Sequence, residues 1–449
     1  MNQFDPSKVE TFEITGYDFD PQTGEVQLHY ALLGEGEPIT LTEKASVPVG
    51  NVDTQAAEVT DRLARLLLLA ASVSYYKTAA PSRVAVRLPI TEVEKYFLTE
   101  VIRRGMTEFA YVNNLPHALT PEIETSEIIP AEPIALGDVN QQHPLVAVGG
   151  GKDSIVTIEA LRAAGFEPTL FSVNSYTPIT NTVERAELPY LKVGRQIDAT
   201  IGELNAQGAL NGHVPITMIN SLLALMTAAM NGLSAVVFSN ERSASVGNLV
   251  WEGIDVNHQW AKSIEAEKLL QSTLVAAVSP SLAYFSLLRP LSELRIARQF
   301  ATLEQYHDVF TSCNRAFHLD PSKRRIWCGE CDKCRFVFLA LAPYLGAEQL
   351  EAIWHKNMFE DNAQLAGFRE LLGIEGHKPL ECVGEIAESR LALVMAAQKD
   401  DWKHTALVPI LLNDLPEDSL PTPEQEREIF ETSEHLIPEV YVPALDQIK

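Results

Sequence analysis

Basic residues, cysteines and long apolar runs are all scarce in this chain. Lys and Arg number 35 against 60 Asp and Glu in 449 residues, a formal net charge of −25. Nucleic acids and anionic membranes are bound through basic surfaces, so neither is expected as a partner. Five cysteines in a chain of this length do not make a disulfide framework. The most apolar stretches are 66–76 and 216–233. The first is too short to span a bilayer, and the second is broken by Thr217, Asn220, Ser221, Thr227 and Asn231. Met1-Asn2-Gln3-Phe4-Asp5 has neither the basic start nor the apolar core of a signal peptide. A cytoplasmic location is expected. Hydrophobic content of 46% and charged content of 21% are ordinary for a folded chain, and the length allows two or three domains.

What is present centres on Val146-Ala147-Val148-Gly149-Gly150-Gly151-Lys152-Asp153-Ser154. The run 145–148 reads as a buried parallel strand, and 155–161 carries helical periodicity ending at Gly165. A strand, a glycine turn and a helix start suit a phosphate, because glycines admit close approach and first-turn N–H groups point at the anion. Lys152 adds a point charge, Ser154 a hydroxyl donor, and Asp153 suits a magnesium ion beside the phosphate. A plain tight connection is the competing reading of the glycines alone.

Around this stretch the chain reads in three parts: a 1–140 α+β region, a 141–340 nucleotide domain with a cysteine knuckle, and a mostly helical 341–449 region. Residues 10–48 read as a hairpin whose turn is Asp20-Pro21-Gln22-Thr23-Gly24. Helices are expected over 54–76, capped by Asp53 or Thr54, and over 93–104, with a linker at 115–142. The core alternates strand and helix, as an α/β fold requires: a strand at 169–174, helices at 187–204 and 216–230, and a strand at 235–238.

Ligands of parallel sheets sit beyond the carboxyl ends of the strands, so Asn174 and the turn 239–243 are expected at the cleft of the glycine loop. Asn174 is a candidate for base or ribose contact, or caps the next turn. Arg242 is a candidate for a phosphate or carboxylate, and Glu241 for magnesium or proton transfer; a solvated ion pair is the alternative. In Asn257-His258-Gln259-Trp260-Ala261-Lys262, His258 and Lys262 share a face if the segment is helical, which makes His258 an acid–base candidate.

Cys313 and Cys328-Gly329-Glu330-Cys331-Asp332-Lys333-Cys334 give overlapping C-x-x-C units with a fourth cysteine upstream. This suits a tetrathiolate Zn2+ knuckle, closed and therefore structural; metal-free thiols and an iron–sulfur cluster are the alternatives. Lys323, Arg324, Arg325, Lys333 and Arg335 flank it, either offsetting thiolate charge or forming an anion pocket. Cys382 stands apart and reads as a core residue.

The order Gly-Gly-x-Asp-Ser after an apolar strand resembles the PP-loop of the ATP pyrophosphatases, with Gly149 where that pattern has Ser. The spacing is not that of a Walker A loop. The loop together with a four-cysteine knuckle is similar to 7-cyano-7-deazaguanine synthase over about 144–340. The fuller resemblance is to the MurL family, carried by 148–154, by Phe238-Ser239-Asn240-Glu241-Arg242-Ser243, by Asn257-His258-Gln259 and by the knuckle. That resemblance implies a parallel-sheet PP-loop α/β core. It also implies an epimerase that uses ATP and Mg2+ to convert the terminal L-Glu of UDP-MurNAc-L-Ala-L-Glu to D-Glu, through carboxylate adenylation with release of AMP and pyrophosphate. Gly149, Gly150, Gly151, Lys152, Asp153, Ser154, Asn174 and Arg242 would bind ATP. Lys152, Asp153, Glu241 and His258 would serve the chemistry. A PP-loop synthase or amidotransferase acting on a small carboxylic acid is the runner-up, and a non-catalytic ATP-sensing protein the third reading.

Overall fold

The computed structural model of the chain describes residues 4–449 apart from 51, 138–140, 319, 377, 417 and 418. Its backbone is one ten-stranded sheet, with helices on both faces of its parallel part, plus a two-stranded ribbon.

The N-terminal strands β1 (Val9–Asp20), β2 (Glu25–Gly34) and β3 (Ile39–Ser46) form an antiparallel meander, one strand more than the expected hairpin. Alternation on β2 sends Val26, Leu28 and Tyr30 inward. They pack under helix α1 (Thr54–Ala71), whose first turn is capped by Asp53 accepting from the Ala56 N–H at 2.7 Å. β4 (Arg83–Val86) pairs parallel with β1. Helix α2 (Glu92–Gly105) opens on a reciprocal capping box between Thr91 and Glu94. The segment expected as a linker contains β5 (Glu122–Thr125), which pairs parallel with β4 at the sheet edge; residues 138–140 of that stretch lie outside the described residues.

The second half is a doubly wound unit. β6 (Leu145–Ala147), β7 (Thr169–Val173), β8 (Tyr190–Gln196), β9 (Ala235–Phe238) and β12 (Ala283–Ser286) are all parallel, in the spatial order β12-β9-β6-β7-β8. Neighbouring residues on these strands face opposite layers: Val236 joins the core beneath α5 (Ile216–Met230), whereas Val237 joins that of α3 (Lys152–Ala163) and α7 (Glu293–Ala301). The ribbon β10 (Leu249–Trp251)–β11 (Ile254–Val256) projects from the β9–α6 connection, where α6 is Ile264–Thr273.

One helical expectation is corrected, and one condition is not met. The run 187–204 is not one helix: α4 (Thr177–Ala186) ends before it, β8 occupies 190–196, and only Thr200–Ala206 is helical. Leu191 and Val193 alternate with polar neighbours, and β8 pairs on both sides, with β7 in parallel and with β3 antiparallel. The segment 257–262 is not an α-helix either, because only Trp260–Lys262 forms a 3-10 turn. The β3–β8 seam carries the meander directly onto the parallel strands, so the sheet runs uninterrupted past residue 140. Beyond α7 the chain is helical, with α8 (Asp332–Leu341) and α9 (Ile386–Ala397) prominent. Among the described residues no helix is long and apolar enough to cross a membrane.

Candidate active site

The strand order reverses between β6 and β9, and the crevice beyond their carboxyl ends holds a cleft of about 300 Å³. One wall is the glycine turn. Gly150 has φ +81°, and a Cβ there would lie 2.8 Å from the backbone carbon of Pro178; a Cβ on Gly151 would lie 2.9 Å from Ser312 Oγ. Gly149 has open space around its Cα. No side chain caps the N-terminus of α3, so its first-turn N–H groups are left for whatever enters the cleft. The Ser154 hydroxyl donates back to the Gly151 carbonyl at 3.0 Å.

Opposite stand the β9 end residues Ser239 and Asn240. Asn240 donates to Ser286 Oγ at 2.9 Å, whereas Ser239 Oγ is out of solvent with no hydrogen-bond partner among the described residues. A ligand or water in the cleft would satisfy that hydroxyl. Lys262 and Lys333 supply positive charge to the same space. A larger cavity of about 670 Å³ opens near Asp61, Arg62 and Arg65, but it contains no part of the glycine turn or of the strand ends.

Lys152 is not in the open cleft. It is 2% exposed and gripped between Asp153 and Glu293, and it lines a smaller adjoining cavity of about 40 Å³. Burial disfavours its ammonium, but the two carboxylates outweigh that and its pKa rises. Burial pushes the Glu293 carboxyl up to about 7, opposed by Lys152 and assisted by Asp153 and Glu241. Glu293 sits one residue after the Ser292 cap of α7, and nothing near it in the chain marks it as a site residue. Glu241 also faces the smaller cavity, with Ser243 Oγ donating to it at 3.2 Å. The two cavities share Asp153, Lys262, Ser312 and Lys333.

Three sequence candidates lie differently from their expected roles. Asn174, at φ +57°, spends its side chain on Arg195, donating to its carbonyl at 3.1 Å and accepting from its N–H at 3.0 Å. That fixes the start of the seam, where Arg195 makes a buried pair with Glu43 at 2.7 Å. Arg242 donates to the carbonyls of Glu428 and Ile429 and lines neither cavity. His258 bonds Glu108 through Nδ1 and packs against His213, ring centroids 4.2 Å apart. Burial works against its charge, but hydrogen bonds to Cys382 and Glu108 raise its pKa to about 9; burial and the charge on His258 drive His213 down to about 4.

Cys382, expected as a core residue, lines the smaller cavity, its Sγ 3.2 Å from Lys262 Nζ. Lys333 alone of the flanking basic residues lines the cleft. Arg335 is tied to Glu330, Asp332 and Gln364, and Arg324 lies over the Tyr176 ring.

The four clustered cysteines converge, with Sγ separations of 3.8 Å (Cys313–Cys331), 3.7 Å (Cys328–Cys334) and 3.5 Å (Cys331–Cys334). A tetrahedral ion with metal–sulfur bonds of about 2.3 Å sets its sulfurs about 3.8 Å apart, so the cluster fits one. The knuckle also braces the glycine turn: the Thr311 N–H donates to the Gly150 carbonyl at 2.9 Å, and Thr311 Oγ1 accepts from the Cys313 N–H at 3.0 Å.

Fold and cleft together define an α/β protein with a cleft at the switch point of a doubly wound sheet, walled by a glycine turn and adjoining a buried ionic cluster. Residues 3–287 match the MurL N-terminal domain and residues 309–426 the MurL C-terminal domain, and the chain belongs to the MurL family. It is similar to UDP-N-acetyl-alpha-D-muramoyl-L-alanyl-L-glutamate epimerases of three organisms. With that of a Micromonospora species it is 45% identical over 444 residues, covering 98% of each chain. With that of Salinispora tropica it is 45% identical over 414 residues, 91% of this chain and 90% of the relative. With that of Xanthomonas oryzae pv. oryzae it is 41% identical over 420 residues, 92% of each. No solved structure matches the chain.

Proposed function

We propose that the chain is an ATP-dependent epimerase that inverts the terminal L-Glu of UDP-MurNAc-L-Ala-L-Glu through an acyl-adenylate. The observation that carries this is end-to-end similarity, 45% identity over 98% of the chain, to a protein named for that substrate. The requirement for ATP is supported by the uncapped glycine turn at the switch point, next to the orphaned Ser239 hydroxyl.

The chemistry explains why a nucleotide would be needed. A Cα–H next to a carboxylate is a very weak acid, because removing the proton places two negative charges on neighbouring atoms. Attack of that carboxylate on the α-phosphorus of ATP forms an acyl-adenylate and releases pyrophosphate. The remaining carbonyl then accepts the electron pair left when the Cα proton departs. Proton return on the opposite face, followed by hydrolysis, gives the D-isomer and AMP. The N–H groups at the start of α3 would hold the phosphates, with Ser239 and Lys333 across the cleft. Asp153, whose side chain is 30% exposed at the cleft, would hold Mg2+, which neutralises charge on the leaving pyrophosphate. Zn2+ in the four-cysteine knuckle would close that loop against the glycine turn, as a structural ion with no open position.

The test is incubation with the muramoyl dipeptide in D2O. With ATP, deuterium enters glutamate Cα and AMP and pyrophosphate accumulate; without ATP, or with a triphosphate whose α–β bridge cannot be cleaved, neither happens. Full-rate inversion with the uncleavable analogue overturns adenylation, and a new amide in place of deuterium identifies a synthase.

A further inference from the structure

Cys382 lines the innermost space beside the glycine turn. The residue comes from the segment before α9, and its thiol lies in the small cavity that adjoins the glycine-turn cleft. Lys262 Nζ is 3.2 Å from its sulfur, and His258, bonded to Glu108 through Nδ1, adds a second nearby cation. The cavity has a second feature that points to a ligand. Gln259, 3% exposed, lines it, and its amide oxygen has no hydrogen-bond partner among the described residues. Buried amide oxygens are rarely left unsatisfied, and a ligand N–H entering this cavity would satisfy it. In a peptide the N–H nearest a residue's Cα is its own, so an oxygen that takes the glutamate N–H holds the glutamate Cα close by.

We propose that Cys382 is the group that removes the Cα proton of the substrate's terminal glutamate, with Lys262 and His258 as the positioning residues that keep its sulfur anionic, and with Gln259 accepting the glutamate N–H. This rests on the epimerase reading above. The thiolate takes the proton as the Cα–H bond breaks, and the bonding pair moves into the activated carbonyl. Water on the opposite face returns a proton to Cα, and the hydroxide left behind takes the proton from the thiol, which restores both.

The electrostatics favour a thiolate. Burial alone raises a thiol pKa, but Lys262 first, then Lys333 and His258, bring that of Cys382 down to about 6. The groups facing it are Lys262 and His258 from the 257–262 turn and Lys333 from α8. Across the cavity stand Lys152, Asp153, Glu241 and Glu293.

The experiment compares wild type with Cys382→Ala and Cys382→Ser, using ATP and the muramoyl dipeptide in D2O and reading pyrophosphate release and Cα deuterium separately. Both variants are expected to release pyrophosphate while deuterium incorporation falls by about 100-fold or more. In Lys262→Met the acid limb of the deuterium-exchange profile is expected to move to higher pH, because the thiol loses its nearest cation. Deuterium exchange retained in Cys382→Ala overturns the proposal, and so does loss of pyrophosphate release along with exchange. An acid limb unmoved in Lys262→Met removes the role given to that lysine. A wild type that exchanges no deuterium with ATP overturns the epimerase reading itself, a different result from a variant that exchanges as well as wild type.

Discussion

Arg289 and Glu267 form an ion pair almost fully withdrawn from solvent, their side chains 2% and 1% exposed and Nη2 3.0 Å from the carboxylate. The same guanidinium donates to the carbonyls of Glu241 and Lys262, so one side chain ties together the two turns that flank the site. Arg289→Met is expected to cost about 3–5 kcal/mol by leaving the Glu267 charge buried without its partner. The double variant Arg289→Met with Glu267→Gln should recover part of that stability but not the turnover, because the carbonyl clamp stays lost. Denaturant midpoints and epimerisation rates for both variants check this; full activity in the double variant would count against the clamp.

The glycine turn should tolerate change at one position and not at the next. Gly149 has nothing within 4 Å of an added Cβ, so Gly149→Ser is expected to keep both stability and turnover. Gly150 has φ +81° and the Pro178 backbone in the way. Gly150→Ala should lose about 1–2 kcal/mol from backbone strain alone and raise the KM for ATP sharply. Thermal melts and ATP titrations of the two variants give the comparison.

Removing a knuckle sulfur should be felt at the nucleotide. Cys331→Ser is expected to lose bound zinc and stability, and, through the contact of Thr311 with Gly150, to weaken ATP binding more than binding of the muramoyl dipeptide. Elemental analysis with separate KM values for the two substrates tests it. Wild-type protein free of zinc would mean that the cluster carries no such ion.

The two histidines packed against each other predict opposite pH behaviour. His213 is held neutral, with its pKa lowered from 6.5 to about 4, so the unfolded chain binds a proton there that the folded chain refuses. Stability is therefore lost as pH falls from 6.5 toward 4. His258 is raised to about 9, so its contribution is complete below 6.5 and is lost as pH climbs through 9. Urea titrations at pH 5 and pH 7 should show a smaller acid loss in His213→Phe than in wild type. Equal losses would remove His213 from the account.

How much of this was legible in the chain follows from where each signal resides. The β6–turn–α3 unit could be read because its apolar run, glycines and helix start are contiguous, and the knuckle because three of its cysteines lie within seven residues. β8 was hidden because its sides are filled by β7 and by β3, the latter some 150 residues away in sequence, so its short alternation merged with the helix that follows. Glu293 and Cys382 gave no local signal at all. Lys152 precedes its Glu293 partner by 141 residues, and Lys262 precedes Cys382 by 120. Charged groups that meet only in three dimensions leave no pattern along one, and Asn174 and Arg242 are polar residues after strand ends whose side chains the scaffold engages.

The seam between β3 and β8 has a practical consequence. Three residue pairs and the Glu43–Arg195 bridge close off what would otherwise be a raw border of backbone amides on β8. Cutting away the first 50 residues would therefore leave a sticky strand seeking another chain, and a trimmed fragment built around the glycine turn should clump where the intact molecule stays dispersed.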